Sequence, residues 1–291
     1  MSSYSVVDLL TLIELTTCVV ALVVMFYRRQ IGQFKPLALF LLVRISSIAI
    51  CFPLMSMGGK QISSVLAYKI YFYVYWGSYA LEAILGFWII YVIYNLAMAP
   101  LKGLQRLGML MFRWAAGIAV AIAVTMAFGP HVTYSKFIMR AVTQLQQTQS
   151  VLTLCMLLFV CLAIRPMGLS YRSKIFGVSL GLGVAAATDL VMAAWITHFR
   201  TIYSLSSIIS GSAICLTLVI WTGYFAVPEP RRRMIILPTT SPFLRWNQIS
   251  LALGDEPGFV ALGEITPDMF APAEVEVMRR ASMKMNYPVA N

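Results

Sequence analysis

The sequence has few charged residues, and it is especially poor in acids and in histidine. Charged residues make up 11% of the 291 residues, hydrophobic residues make up 60%, and only two histidines occur. The mean hydropathy of +0.81 lies well outside the balance of a soluble domain. This composition excludes a soluble globular domain and indicates a polytopic membrane protein.

The shortage of histidine and lysine inside the apolar runs argues against several membrane chemistries. His131 and His198 lie at the edges of those runs, so a haem or a catalytic zinc ion would lack its ligands. The run at 203–226 has no lysine to form a Schiff base with retinal. No Gly-rich phosphate loop or kinase signature occurs. We therefore expect no catalytic residue, no metal and no cofactor, and we predict that the chain is not an enzyme.

The cysteines also lack the spacing of a disulfide framework or of a metal site. All five fall inside apolar runs, where we interpret them as small apolar side chains. They are Cys18, Cys51, Cys155, Cys161 and Cys215.

Long apolar runs are abundant, and each is long enough to cross a bilayer, which takes about 20 residues. Their approximate bounds are 5–27, 36–57, 70–95, 110–128, 139–163, 175–197 and 203–226. The first run lacks the basic start and the cleavage site of a signal peptide. The pattern predicts an all-α, seven-helix transmembrane domain over residues 1–228, followed by a short tail over residues 229–291.

Basic residues are concentrated in alternate connections. The connections at 28–35, 102–113 and 165–174 each carry three, and the tail begins with "RRR" at 231–233. The positive-inside rule makes this side cytoplasmic, with the N-terminus outside. The formal charge of +11 therefore indicates orientation and attraction to the lipid bilayer, with no nucleic-acid partner. We expect a multi-pass protein of the cell membrane, in particular of a bacterial inner membrane.

Acids before residue 228 are confined to the apolar runs, where a carboxylate is costly and normally faces protein or water. They are Asp8, Glu14, Glu82 and Asp189, and the second run adds Arg44. At about 1.5 Å per residue, Glu14, Arg44 and Asp189 each fall within one helical turn of the depth of Glu82. The sequence thus predicts a buried ionic cluster of one arginine and three carboxylates.

A guanidinium can hold one or two carboxylates through paired hydrogen bonds. Arg44 cannot neutralise three, so the remaining acid is a candidate to carry a proton. Two interpretations stay open: the cluster fixes how the helices pack, or it has a proton-linked or ligand-linked role.

The run "YKIYFYVYWGSYALEAILGFWIIYVIY" at 68–94 places Tyr75 and Tyr79 on the same helix face as Glu82. A buried phenol needs a hydrogen-bond partner. These tyrosines either form a polar path toward Glu82 or belong to the interfacial belt and the core.

The fifth run begins with several polar residues. Gln144 and Thr148 share one stripe, whereas Gln146 and Gln149 point elsewhere. We expect this half of the run to border protein or water, with Gln144 and Thr148 contributing to the polar path.

The tail could order over 243–253 and in a helix over 272–284, where Glu276 and Arg280 are correctly spaced to pair. It is expected either to bind a cytoplasmic protein or to lie along the membrane. The features together favour a non-enzymatic sensor or signal-coupling protein that responds to a small-molecule ligand. The alternative is a proton-coupled small-molecule transporter.

Overall fold

The computed structural model describes residues 3–57, 63–99, 102–127, 134–163, 170–198, 203–228, 235–237 and 260–262. It contains seven helices, each with an apolar segment long enough to cross a membrane, which confirms the predicted spans. The helices are α1 Ser3–Tyr27, α2 Lys35–Met57, α3 Ser64–Ala97, α4 Lys102–Ala127, α5 Tyr134–Ala163, α6 Lys174–His198 and α7 Tyr203–Ala226.

Several helices are longer than their apolar runs. The 34 residues of α3 begin at Ser64, and α4 begins at Lys102, ahead of the apolar part of its sequence. Hydropathy detects only the segment suited to lipid, whereas a helix continues wherever its backbone groups bond to one another. The polar ends of α3 and α4 were therefore not predicted from hydropathy.

The helices form a closed ring with one helix outside it. Around the ring, α1 packs on α2, α2 on α3, α3 on α5, α5 on α6, α6 on α7, and α7 returns to α1. The remaining helix, α4, packs on the outside against α5 and α3. Six helices thus form the ring, and α3 also contacts α6 across it.

The odd-numbered helices end where the even-numbered helices begin. At this end the Arg28 guanidinium donates a 2.7 Å hydrogen bond to the carbonyl of Ala226, which joins α1 to α7. The rings of Phe34 and Phe225 meet edge to face at 5.4 Å between centroids. We call this the basic end, after the arginines and lysines of its connections.

Burial is concentrated on the side of the basic end. We define the basic half as residues 18–41, 82–98, 149–163, 170–186 and 217–228 of the ring. Its core consists of aliphatic and aromatic side chains from all six ring helices, among them Met25, Leu41, Ile90, Val160, Val178 and Trp221. The helices therefore pack closely over this half of their length.

The open half comprises residues 3–17, 42–57, 63–81, 134–148, 187–198 and 203–216 of the same helices. Among its described side chains, only Ala67 and Val142 are buried, and both belong to helices beside α4. A closely packed bundle would bury one face of every helix along its whole length. The ring helices therefore pack less closely toward the end opposite the basic end, and we call the region between them there the crevice.

Packing in the basic half depends on small residues opposite large rings. A side chain added at Gly181 would overlap the indole of Trp221, and one added at Gly177 would overlap the ring of Tyr224. Trp221 Nε1 also donates a 3.3 Å hydrogen bond to the carbonyl of Val178. The glycines of α6 thus provide the space that the aromatic side chains of α7 fill.

Two short strands in the tail were not predicted. Strand β1, Ile235–Leu237, pairs in parallel with β2, Val260–Leu262, with Ile235 opposite Val260. Three residues are too few to show the alternating pattern of a strand. The basic residues 231–233 and the predicted segments 243–253 and 272–284 lie outside the described residues.

Candidate functional site

Arg44 joins three helices. Its Nη1 donates a 2.8 Å hydrogen bond to Glu82 Oε2 on α3, and its Nε donates to Glu14 Oε1 on α1. Both contacts are ion pairs. One guanidinium from α2 thus binds carboxylates from its two neighbours in the ring, as its planar array of donors permits.

These residues lie where the basic half meets the crevice. Glu14 is one turn from the buried Cys18, and Arg44 lies three residues after the buried Leu41. The side chains of Arg44, Glu14 and Glu82 retain 18%, 12% and 8% of their accessible surface. The ion pairs therefore form the floor of the crevice, where part of each side chain remains accessible.

Asp189 on α6 lies on the same floor but does not contact Arg44 directly. Its carboxylate interacts with the side-chain amide of Gln146 on α5. The oxygen of that amide, Gln146 Oε1, is buried and has no hydrogen-bond partner. Tyr79 of α3 lies within electrostatic range of Asp189, Glu82 and Arg44. Five of the six ring helices thus contribute polar groups to one region.

This region has more acids than bases. Glu14, Glu82 and Asp189 can carry three negative charges against the single positive charge of Arg44. Among the described residues, no other lysine or arginine forms an ion pair with these three acids. Because an uncompensated charge is costly in a low dielectric, such a site favours the uptake of a proton or of a cation.

A column of tyrosines runs along α3 from the open end to this floor. Tyr71 and Tyr75 stack at 5.8 Å between ring centroids, and Tyr75 and Tyr79 stack at 6.1 Å. Trp76 meets Tyr79 edge to face at 6.1 Å. Tyr75 is 42% exposed. The column therefore presents aromatic rings and hydroxyl groups beside the crevice, one turn from Glu82.

The face of α5 that contacts the neighbouring helices is not the stripe of Gln144 and Thr148. The Thr148 hydroxyl donates a 2.8 Å hydrogen bond to the carbonyl of Gln144 in its own helix. The side chains that reach other helices are Gln146, at Asp189, and Gln149, which packs against Gly86 of α3. Gln146 and Gln149 thus lie on a different face from Gln144 and Thr148, as expected, and it is their face that contacts the other helices.

The sequence did contain a signal for this face of α5. Positions 142, 149, 153, 156 and 160 are all buried and recur at helical spacing. Gln146 falls on the same stripe, between the apolar Val142 and the polar Gln149 and Thr153. The stripe could have been identified by extending the apolar periodicity backward from the second half of the helix.

Within the part of the chain that the structure describes, no group of three or more histidine, cysteine, aspartate or glutamate side chains could hold a metal ion. No known family model, curated protein or solved structure matches this chain.

Proposed function

We propose that the chain is a non-enzymatic sensor or signal-coupling protein of the cell membrane. The observation that carries this proposal is the charge arrangement at the floor of the crevice. Arg44 holds Glu14 and Glu82, while Asp189 lies within electrostatic range of Arg44 but forms no ion pair among the described residues. Adding a proton or a ligand there changes the forces between helices, which is how local charge switches act on a whole fold.

The packed basic half would carry such a change to the opposite side. Closely packed cores transmit displacement because they cannot absorb it, so helices α1, α2 and α3 would shift as rigid bodies. In this proposal the tail over residues 229–291 passes the change to a cytoplasmic protein. In this proposal a small molecule enters the crevice from the outer side of the membrane.

The proposed orientation places the N-terminus outside and the C-terminus in the cytoplasm, in a bacterium across the inner membrane. The support is the basic residues of the connections at the basic end, together with the joining of α1 and α7 there. In a cysteine-free background, cysteine at position 60 should label from outside intact cells, and cysteine at position 103 only after permeabilisation. Labelling of both positions from the same side would exclude this orientation.

The sensing role can be tested with spin labels at the ends of two helices that Arg44 joins. Labels at Tyr27 and Ala99, both exposed, report the distance between the basic ends of α1 and α3. We expect acidification, or a solute that binds in the crevice, to change the distance distribution in the parent protein. The same change should be absent when Glu14 and Glu82 are replaced by glutamine and Asp189 by asparagine, because no acid then remains on the floor of the crevice to be protonated.

The alternative function is a proton-coupled small-molecule transporter. The tyrosine column and the unbalanced Asp189 favour it, because they form an open, acidic route to mid-depth. In liposomes with a pH-sensitive dye inside, a transporter would move protons when a solute is added, and a sensor would not. Solute-dependent proton flux would replace the sensing proposal, and an unchanged label distance without flux would contradict both.

A further inference from the structure

We propose that a groove between α1 and α2, at the basic end, binds an acidic phospholipid, with an acyl chain along the groove and the phosphate at Lys35. The groove lies on the outer face of the ring, apart from the crevice, so this inference does not depend on the sensing role. It follows from the shape of the groove, from the charge at its end and from the backbone of the connection between the two helices.

The groove runs along the outer face of the ring, where α1 and α2 lie side by side. The core side chains Met25 and Leu41 are buried on the inner side of these helices, whereas Phe26 and Leu39 are exposed. The cavity measures about 540 Å³, within the range of about 300–1,000 Å³ that is typical of small-molecule sites. Its apolar walls are Leu22, Val23 and Phe26 of α1 and Ala38, Leu39 and Leu42 of α2.

An acyl chain is the apolar group that a membrane supplies at this groove. Its walls belong to the segments Val6–Tyr27 and Lys35–Leu54, both apolar enough to cross a membrane. From Leu42 to Lys35 the helix rises about 10 Å, at about 1.5 Å per residue, so a chain can lie along the groove with its headgroup at Lys35. Because any lipid can supply such a chain, selection of one lipid depends on the charges at this end.

Lys35 is the charged side chain that lines the groove. It is exposed, and among the described residues it forms no ion pair. It is also the first residue of α2, whose first turn contains no acid. A cation is unfavourable at this positive end of a helix dipole, whereas a phosphate is favoured there and pairs with the ammonium group. A bound headgroup would therefore compensate a charge that α2 alone leaves uncompensated.

The connection between α1 and α2 holds a second cation at a position that favours glycine. Arg29 follows the last turn of α1 with a φ of 54°, in the left-handed region. Its N–H donates to the carbonyl of Phe26 at 3.0 Å, and the N–H of Gln30 donates to that of Met25 at 2.9 Å. These are the bonds of a Schellman turn, whose left-handed residue is usually glycine. Because Phe26 and Ile31 on either side line the groove, the exposed Arg29 lies beside the end at Lys35. Residues that depart from local preference in this way are typical of functional sites.

These charges favour an acidic phospholipid over other occupants of the groove. The four acids before residue 228 lie at mid-depth or toward the open end, so a second copy in the same orientation would bring mainly like charges to Lys35 and Arg29. A zwitterionic lipid carries a cation of its own beside its phosphate, which these two residues would repel. An anionic headgroup has neither disadvantage.

The test uses phosphatidylglycerol as the probe and phosphatidylcholine with the same acyl chains as its zwitterionic counterpart. The full chain in a neutral detergent is unfolded by heat at increasing lipid concentration, and the midpoint is followed by circular dichroism. A ligand that binds the folded state raises the midpoint in a saturable way. We expect phosphatidylcholine to need at least about tenfold more lipid than phosphatidylglycerol for the same rise, and inorganic phosphate to cause none.

Variants of the two cations locate the headgroup. Lys35→Gln and Arg29→Gly should each weaken the response to phosphatidylglycerol, Lys35→Gln by about tenfold in lipid concentration. Without lipid, both variants should unfold at or above the parent midpoint, because each removes a residue that the local backbone disfavours. The matched control, Arg172→Gln, removes an exposed arginine of the same end outside the groove and should respond to lipid as the parent does.

A second pair of variants locates the acyl chain. Leu39→Trp places a larger side chain in the groove and should weaken the response to phosphatidylglycerol without any change of charge. The control, Leu162→Trp, makes the same change at an exposed position of α5 outside the groove and should keep the response. The midpoint of each variant without lipid shows whether it is folded.

Equal stabilisation by the two lipids would overturn the proposal, because the charges at Lys35 and Arg29 would then select nothing. Stabilisation by inorganic phosphate alone would replace the lipid site with an anion site. A parent-like response to phosphatidylglycerol in folded Lys35→Gln and Leu39→Trp variants would show that the lipid acts elsewhere on the bundle and would equally reject the groove.

Discussion

The two halves of the bundle are built from the same six helices but are held together differently. In the basic half, apolar side chains from every ring helix are buried against one another. In the open half almost no described side chain is buried, and the groups between the helices at its floor are charged. The basic half thus holds the helices in place, whereas the arrangement of the helices in the open half can change.

The difference also follows from how helices associate in lipid. Lipid is as apolar as leucine, so helices gain little from hiding apolar surface and depend on close packing and on polar contacts. The basic half has close packing, as at Trp221 over Gly181. At the start of the open half, the ion pairs of Arg44 join α1, α2 and α3.

The largest effect should come from Arg44→Ala. This change leaves Glu14 and Glu82 without their cation, and breaking a buried ion pair from one side costs about 3–5 kcal/mol. Thermal unfolding in detergent measures the loss. The control is Arg140→Ala, which removes an exposed arginine of α5 and should change stability by less than about 0.5 kcal/mol. Equal losses in the two variants would mean that the ion pairs do not hold the helices.

A smaller loss of stability should distinguish the close packing of the basic half from the looser packing of the open half. Valine at Gly181 must displace the indole of Trp221, and such overpacking costs about 1–3 kcal/mol. A Cβ added at Gly77, in the open half of α3, meets no atom within 4 Å, so valine there should cost almost nothing. Thermal unfolding of both variants compares the halves directly. Similar losses would contradict the looser packing of the helices in the open half.

The seven helices could be predicted from the sequence, because the length and apolarity of a span are local properties. The depths of Glu14, Arg44 and Glu82 were also predictable, since depth follows from counting residues along a helix. The looser packing of the helices in the open half could not be predicted from the sequence. Hydropathy reports whether a residue suits lipid, and it does not distinguish a side chain facing lipid from one facing a crevice.

The contact between Asp189 and Gln146 shows the same limit of prediction from hydropathy for a single pair of residues. It depends on how α5 and α6 are rotated about their axes, which the neighbouring helices determine. The polar start of α5 carries glutamines on more than one side, so its own pattern did not select the inward stripe. Only the buried positions farther along α5 fix that rotation.

The smallest effect should come from Glu82→Gln on the ionic floor. Arg44 has two carboxylate partners, so removing the charge of Glu82 leaves a neutral pair with Glu14, and glutamine can still accept a hydrogen bond. We expect a loss of about 1 kcal/mol or less in thermal unfolding. Replacing Glu14 as well strands the guanidinium, so the double variant should lose more than the two single variants together. Strictly additive losses would show that the carboxylates do not share Arg44.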